Sequence, residues 1–304
     1  MEKVELRREE PASGGIVAPE NEEATDAWSG VLFDRFVEYR DLVVVGLKAH
    51  GDAAMRLHPP EETDRVLDLG CGFGDTTQQL AALVGPDGHA TGVDVSEPFI
   101  EASTAEAEKT GTENVDFFAT DVQVGDLRGP YDYAFSRMGL MFFANPVQAL
   151  RNIRAALRPG GTLVATVWRR KSDNAWVYRS EQVVEKYLEE PEEPEDVRCG
   201  PGPFSMANPD TVSEQLQIAG FESPTFTRCD LPIKIGNDLD HAVSFNMAIG
   251  PAAELLRICP AEEVDRLRPK LQEEIREVLA DYAQPSGEVS APASTWIVSA
   301  TVPE

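Results

Sequence analysis

Basic residues are scarce in this chain of 304 residues: 27 lysines and arginines stand against 53 aspartates and glutamates, a formal net charge of −26 at pH 7. Nucleic-acid affinity is dominated by phosphate contacts that need a basic face, so the balance argues against DNA or RNA as a partner. Anionic membrane surfaces are disfavoured for the same reason, and the acidic excess reads as a solvated surface. Cysteine is rare too. Cys71, Cys199, Cys229 and Cys259 form no C-x-x-C pair, and no histidine stands at ligand spacing, which speaks against structural zinc and a disulfide framework. Only four histidines are available as general bases. No apolar run approaches the ~20 residues of a membrane span, the richest being Leu42 to Leu47. Residues 1–25 lack the apolar centre of a signal peptide and read as a disordered tail. No internal repeat is visible. With 42% hydrophobic residues, the remainder describes an ordinary soluble globule.

The most informative stretch is VLDLGCGFGDTT, Val66 to Thr77. Val66, Leu67 and Leu69 predict a buried strand that runs into a loop with glycines at Gly70, Gly72 and Gly74, then a helix opening at Asp75. Glycine lets a backbone turn tightly and lie against a ligand, while the free N–H groups of the helix start face the same space. A dinucleotide cradle would read G-x-G-x-x-G, whereas this loop is G-x-G-x-G with a carboxylate, Asp68, just ahead of it. That acid is unsuited to a pyrophosphate and suited to an ammonium or sulfonium. The next hydrophobic strand, Ala90 to Val93, ends at Asp94, the place for a carboxylate that accepts ribose hydroxyls.

Strand and helix continue to alternate. A helix with Leu80, Leu83 and Val84 ends at the GPDG turn. A second runs from about Glu97 to Lys109, and the strand Val115 to Ala119 delivers Asp121. This rhythm predicts a parallel, doubly wound sheet with its ligand at the carboxyl ends of the strands. A fourth strand, Tyr131 to Ser136, empties into Arg137-Met138-Gly139-Leu140-Met141-Phe142-Phe143. Asn145-Pro146 then opens a helix that Arg158-Pro159-Gly160-Gly161 closes, before the strand Thr162 to Trp168.

The string D-L-G-C-G-F-G resembles motif I of the class I S-adenosylmethionine-dependent methyltransferases. The run from Ser136 to Gly161 is similar to the ubiquinone/menaquinone C-methyltransferase-like branch, and the resemblance covers most of Asp64 to Trp168. It implies an α/β fold with a doubly wound, Rossmann-like seven-stranded sheet, a helical N-terminal cap and a helical lid insertion. It implies S-adenosyl-L-methionine as cofactor, and hence a cytoplasmic location, where that cofactor is made. By the same resemblance Asp68, Gly70, Cys71, Gly72, Gly74, Asp94, Val95, Asp121, Val122 and Ser136 bind it, with Asp121 taking the adenine amino group and Val122 packing on the ring. The strand-four exit faces the transferable methyl in this family. It contains no N-P-P-Y sequence, which argues against methylation of an exocyclic base amine, and no acid pair of the metal-holding kind. Catalysis is therefore expected to need no metal.

The expected domain plan is residues 1–25 as tail, 26–60 as helical cap, and 61–170 as cofactor-binding core. Residues 171–292 form a mixed segment with lid helices and a further core strand, and 293–304 the final core strand, inserted antiparallel. The acidic stretch Glu189 to Asp196 reads as an exposed linker. Trp28, Phe33, Met138, Phe142, Trp176, Phe204 and Met247 are candidates for a hydrophobic substrate pocket, with plain core packing as the alternative. Arg137, His50 and His241 are the catalytic candidates, with His58 a further possible base. The reading is methyl transfer to a small, mostly apolar or aromatic molecule such as a phenol, quinone or polyketide-like compound. The competitors are a small amine acceptor and a cofactor-binding protein without turnover; a nicotinamide-linked oxidoreductase is disfavoured by the glycine pattern. The oligomeric state is not readable from the chain.

Overall fold

The computed structural model describes residues 16–191 and 200–304. Most of the expected tail and of the acidic linker falls outside those residues, as does Cys199.

The apolar strand residues build the sheet as the sequence suggests. In β1 (Arg65–Leu69) the side chains of Val66, Leu67 and Leu69 are wholly buried, as parallel strands covered on both faces require. Helix α4 (Asp75–Val84) follows, then β2 (His89–Asp94), α5 (Glu97–Thr110), β3 (Val115–Ala119), β4 (Tyr131–Arg137), α6 (Pro146–Ala156) and β5 (Leu157–Trp168). The two last strands, β6 (Glu222–Gly236) and β7 (Val289–Thr301), complete a seven-stranded sheet in the order β3-β2-β1-β4-β5-β7-β6. Strands β1 to β5 pair in parallel, and β7 runs antiparallel to both β5 and β6. The order reverses between β1 and β4, so the crevice for a ligand opens where the glycine loop and the Arg137 loop leave the sheet.

The final strand begins at Val289, four residues before the expected 293. The reason is its partner. Thr295 to Thr301 pair with both neighbours, while Val289 to Ser294 pair with β6 alone and extend past the edge of β5. This overhanging ribbon carries the lid. Helices α9 (Leu239–Asn246), α10 (Pro251–Ile258) and α11 (Ala261–Ala280) are inserted between β6 and β7, and α7 (Ala175–Glu185) packs on α10 and α11. Ile233, Ile235, Val289 and Ala291 share one buried cluster with Val184, Phe245, Leu271 and Ile275. Helix α8 (Pro209–Ala219) belongs to the core instead, packed on α6 with Val212 and Leu216 buried.

The N-terminal region is not one continuous helix. Helix α1 (Glu22–Ser29) ends at Gly30, α2 (Val31–Glu38) at Tyr39, and a π-helical turn, Asp41–Val45, leads into α3 (Gly46–Leu57). Helices α1 and α2 and the π-helical turn border the cavity, with Leu47 at the start of α3. Helix α3 lies against β5 and β6, burying His50, Ala54 and Met55. The part of the expected tail within the described residues is ordered structure: a 3-10 turn at Pro19–Asn21 precedes α1, and Ala18 and Asn21 are buried.

Candidate active site

The cradle is made of backbone. Gly72 has φ of 54°, and a Cβ there would meet nothing within 4 Å, so this position opens onto free space where a ligand can lie against the chain. Gly74 is small for another reason: a Cβ would stand 2.7 Å from Ser103 and 2.9 Å from the Phe117 ring, so it lets α4 approach β3. The Gly72 N–H donates to Asp94 Oδ2 at 3.0 Å and the Ser96 N–H to Oδ1 at 3.1 Å. Burial raises the Asp94 pKa, and these backbone donors oppose the rise. Burial, with Asp94 and Asp68 nearby, pushes the Cys71 thiol well above its usual range, which keeps it an inert small residue in the cradle.

A cavity of about 1090 Å3 runs from this cradle to the lid. Gly70, Cys71, Gly72, Asp94, Val95, Asp121 and Val122, all among the expected cofactor residues, line it. Three expected cofactor residues stand behind its wall. Asp68 is buried and accepts a hydrogen bond from Thr77 Oγ1 at 2.7 Å, so its carboxylate is turned to the start of α4. Desolvation raises its pKa to about 7. Gly74 is filled against by Ser103 and Phe117. Ser136 donates to the Leu69 carbonyl at 2.8 Å and accepts from the Gly139 N–H at 3.2 Å, which pins the ends of β1 and β4 together.

The far half of the cavity is mostly apolar. Trp28, Met138, Phe142, Trp176, Phe204 and Met247, all expected in the substrate pocket, line it; Phe33 does not. Phe33 packs edge-on to Phe99 at 5.0 Å between ring centroids, inside a cluster with Phe73, and the neighbouring Phe36 reaches the cavity in its place. Helix α2 is amphipathic, and which of its two aromatics faces the void depends on the turn at Gly30. Trp28 sits edge-on to Phe142 at 5.0 Å, closing cap onto strand-four exit.

The polar candidates divide. Arg137 lines the cavity, its guanidinium donating to Asp75 Oδ2 at 2.7 Å. His50 is fully buried behind the sheet, Nδ1 bonded to Thr295 Oγ1 at 2.9 Å, and burial lowers its pKa. His241 lies at the start of α9, where Asn237 contacts its Nδ1 and Tyr39 stacks on its ring. Neither lines the cavity, nor does His58. Two pairs escaped the sequence reading. Asp75 holds Arg137, and Lys171, just past β5, donates to Glu181 Oε1 on α7 at 2.7 Å within the cavity wall. The position of Asp75 at a helix start was a usable signal; the Lys171–Glu181 contact spans a loop and had none. Among the described residues no group of three His, Cys, Asp or Glu is placed to hold a metal, and no helix is long and apolar enough to cross a membrane.

The sheet order and the glycine loop at the switch point give the chain a fold of the class I methyltransferase type. Residues 60–199 match the Methyltransf_31 family, described as a methyltransferase domain. An uncharacterized 37.1 kDa protein in transposon TN4556 of Streptomyces fradiae is 37% identical over 107 residues, which are 33% of this chain and 29% of that protein. A demethylmenaquinone methyltransferase of Listeria welshimeri is 29% identical over 126 residues, 40% of this chain and 52% of the relative. The chain thus spans about half or less of the curated relatives it matches. Among solved structures, a putative methyltransferase of Bacillus halodurans superposes with a TM-score of 0.54 at 16% identity, covering 84% of this chain and all of that one.

Proposed function

We propose that the protein binds S-adenosylmethionine in the glycine cradle and transfers its methyl group to a small, mostly apolar or aromatic acceptor, a phenol, quinone or polyketide-like compound. The observation that carries the reading is one continuous cavity whose near end is the Gly70–Gly72 cradle with Asp94 and Asp121, and whose far end is the aromatic wall of cap and lid. A similar domain in the Listeria relative, named for its action on demethylmenaquinone, supports a quinone-like acceptor.

The residues present fit the cofactor. Gly72 leaves room for it against the backbone, Asp94 stands at the strand end where ribose hydroxyls are accepted, and Asp121 offers a carboxylate to the adenine amino group. The cofactor supplies an electrophilic methyl on a sulfonium, with a neutral thioether as leaving group. The chain's part is alignment and exclusion of water, for which the aromatic wall of cap and lid is suited. No histidine lines the cavity to remove a proton, so the acceptor reacts as a phenolate or enolate whose O–H proton has passed to solvent; where carbon is the nucleophile, the hydrogen it carries is lost as a proton to solvent after the methyl is transferred. Arg137 gives one donor to Asp75 and retains others, enough to hold a phenolate or enolate oxygen while the carbon or oxygen nucleophile attacks.

Calorimetry with S-adenosylmethionine, S-adenosylhomocysteine and NAD tests the cofactor; a panel of phenols, quinones and simple amines with purified protein tests the acceptor. Binding of the first two and turnover of phenols or quinones is expected. Efficient methylation of a simple amine with none of a phenol would overturn the acceptor class, and binding of NAD alone would overturn the whole reading.

A further inference from the structure

Asp121 is 2% exposed and stands two residues past the end of β3 at the cavity wall, and the protein already makes heavy use of its carboxylate. Oδ2 accepts two hydrogen bonds at 2.9 Å, from the Ala18 backbone N–H and from Asn21 Nδ2. Oδ1 accepts one, from the Gln123 backbone N–H at 2.8 Å. A carboxylate oxygen offers about two acceptor sites, so Oδ2 is full and Oδ1 keeps one. The donors on Oδ2 come from the N-terminal strap, about a hundred residues away in the chain.

Asn21 is the hub of this arrangement. It is 6% exposed, lines the cavity, and gives its remaining reach to Gln123 Oε1 at 3.3 Å. Its own Oδ1 accepts the Ala144 backbone N–H at 3.2 Å, which leaves no freedom for the amide to turn over. The Gln123 side chain is fixed in turn, accepting from the Asn145 N–H at 2.9 Å and donating to Glu20 at 2.7 Å. Asn21, Ala24, Thr25 and Trp28 follow at i, i+3, i+4 and i+7, so one face of α1 continues the wall from this hub to the aromatic half of the cavity.

We infer that Asn21 is a positioning residue for adenine recognition: by saturating Oδ2 of Asp121 it fixes the plane of the carboxylate, so that the single free acceptor site of Oδ1 reads an exocyclic amino group. The inference rests on the S-adenosylmethionine reading above. A carboxylate held in one orientation rejects a carbonyl at the same ring position, since two acceptors would then face each other. One free to rotate or to take up water discriminates less. The same bonds tie the strap to the cofactor pocket, so closing the cap and orienting the reading group are one event.

The test compares S-adenosylhomocysteine with its hypoxanthine counterpart, S-inosylhomocysteine, in which a carbonyl replaces the amino group. Calorimetry on the wild-type protein, Asn21→Ala and Ala18→Pro gives the ratio of the two dissociation constants, with thermal unfolding recorded alongside. Ala18 has φ of −64°, which proline accepts, so Ala18→Pro deletes the second donor by a change in a different residue. The wild type should prefer the adenine form, and loss of one bond to a charged group should cut that preference by about tenfold in either variant. Hydrogen exchange of the wild-type strap, residues 16–30, should slow more with S-adenosylhomocysteine than with the inosine form, a readout that needs no variant to fold. An unchanged ratio in a folded variant, an equal loss for both ligands, or equal protection of the strap by both would overturn the inference. Failure of the wild type to bind S-adenosylhomocysteine would instead overturn the cofactor reading beneath it.

Discussion

Asp75, the first residue of α4, accepts a hydrogen bond from Arg137, the last residue of β4, at 2.7 Å, and so joins the two loops that flank the topological switch point. Both side chains are largely covered, with 12% of Arg137 and 26% of Asp75 exposed, so the pair is held on the cavity wall and little screened by solvent. Two roles for Arg137 follow: partner of Asp75, or partner of Asp75 and of the acceptor oxygen. Arg137→Ala should lower kcat/KM for a phenol by roughly tenfold, the size of one hydrogen bond to a charged group. Steady-state kinetics on that variant and on Arg137→Ala with Asp75→Asn separate the roles. If pairing were the whole role, neutralising Asp75 would restore turnover; the expected result is that it does not.

In the proposed function Asp94 accepts the ribose hydroxyls. Asp94→Ala should weaken S-adenosylhomocysteine binding by roughly 1.5–3 kcal/mol, a bond to a charged group being lost. Calorimetric titration reads this directly, and an unchanged affinity would count against the assignment.

Asp68 sets a pH dependence of stability. Its pKa is 3.8 ordinarily and about 7 in the fold because burial penalises the charge. Between those values the folded state holds a proton that the unfolded state has released. Stability therefore falls as pH rises from about 4 to 7 and stays lower above, by an amount on the order of a few kcal/mol. Asp68→Asn keeps the shape and removes the charge. Thermal unfolding should show the variant more stable than wild type at pH 8 and the difference closing toward pH 4; equal stability at both would refute it.

His50 acts with the opposite slope. Burial lowers its pKa, so the unfolded state takes up a proton first, and its share of stability is present above the unfolded value near 6.5 and lost as pH falls through it. His50→Gln should flatten the acid side of the unfolding curve while leaving the pH profile of kcat unaltered, since the ring lies away from the cavity. A kcat profile that loses a limb in this variant would return His50 to the catalytic list.

Activity should persist in excess EDTA. The strand-four exit, Ser136 to Gly139, carries no acid, and the acids of the cradle are spoken for by backbone donors and Arg137. Loss of turnover with recovery on adding magnesium would contradict the metal-free mechanism.

Sequence alone was enough for the features that depend on neighbours in the chain. Buried parallel strands advertise themselves as apolar runs, glycine spacing marks a turn that no other residue tolerates, and an acid directly after a strand sits at the ligand edge of a parallel sheet. Val66 to Gly72, Asp94, Asp121 and the antiparallel last strand were legible on those grounds. Asp68 shows where such reasoning stops: its place one residue before the end of β1 is legible in the chain, whereas the hydrogen bond its carboxylate accepts from Thr77 at the start of α4 is set by the fold. The surroundings of the histidines are likewise set by the fold. Nothing near His50 in the chain reveals that α3 turns it toward β7, 245 residues on. Phe36 facing the cavity instead of Phe33, Lys171 meeting Glu181, and Asn21 reaching Asp121 are likewise decided by how separately formed helices dock on the sheet. Docking is governed by the shape of the buried surfaces, which a periodic pattern specifies as apolar or polar without specifying who meets whom.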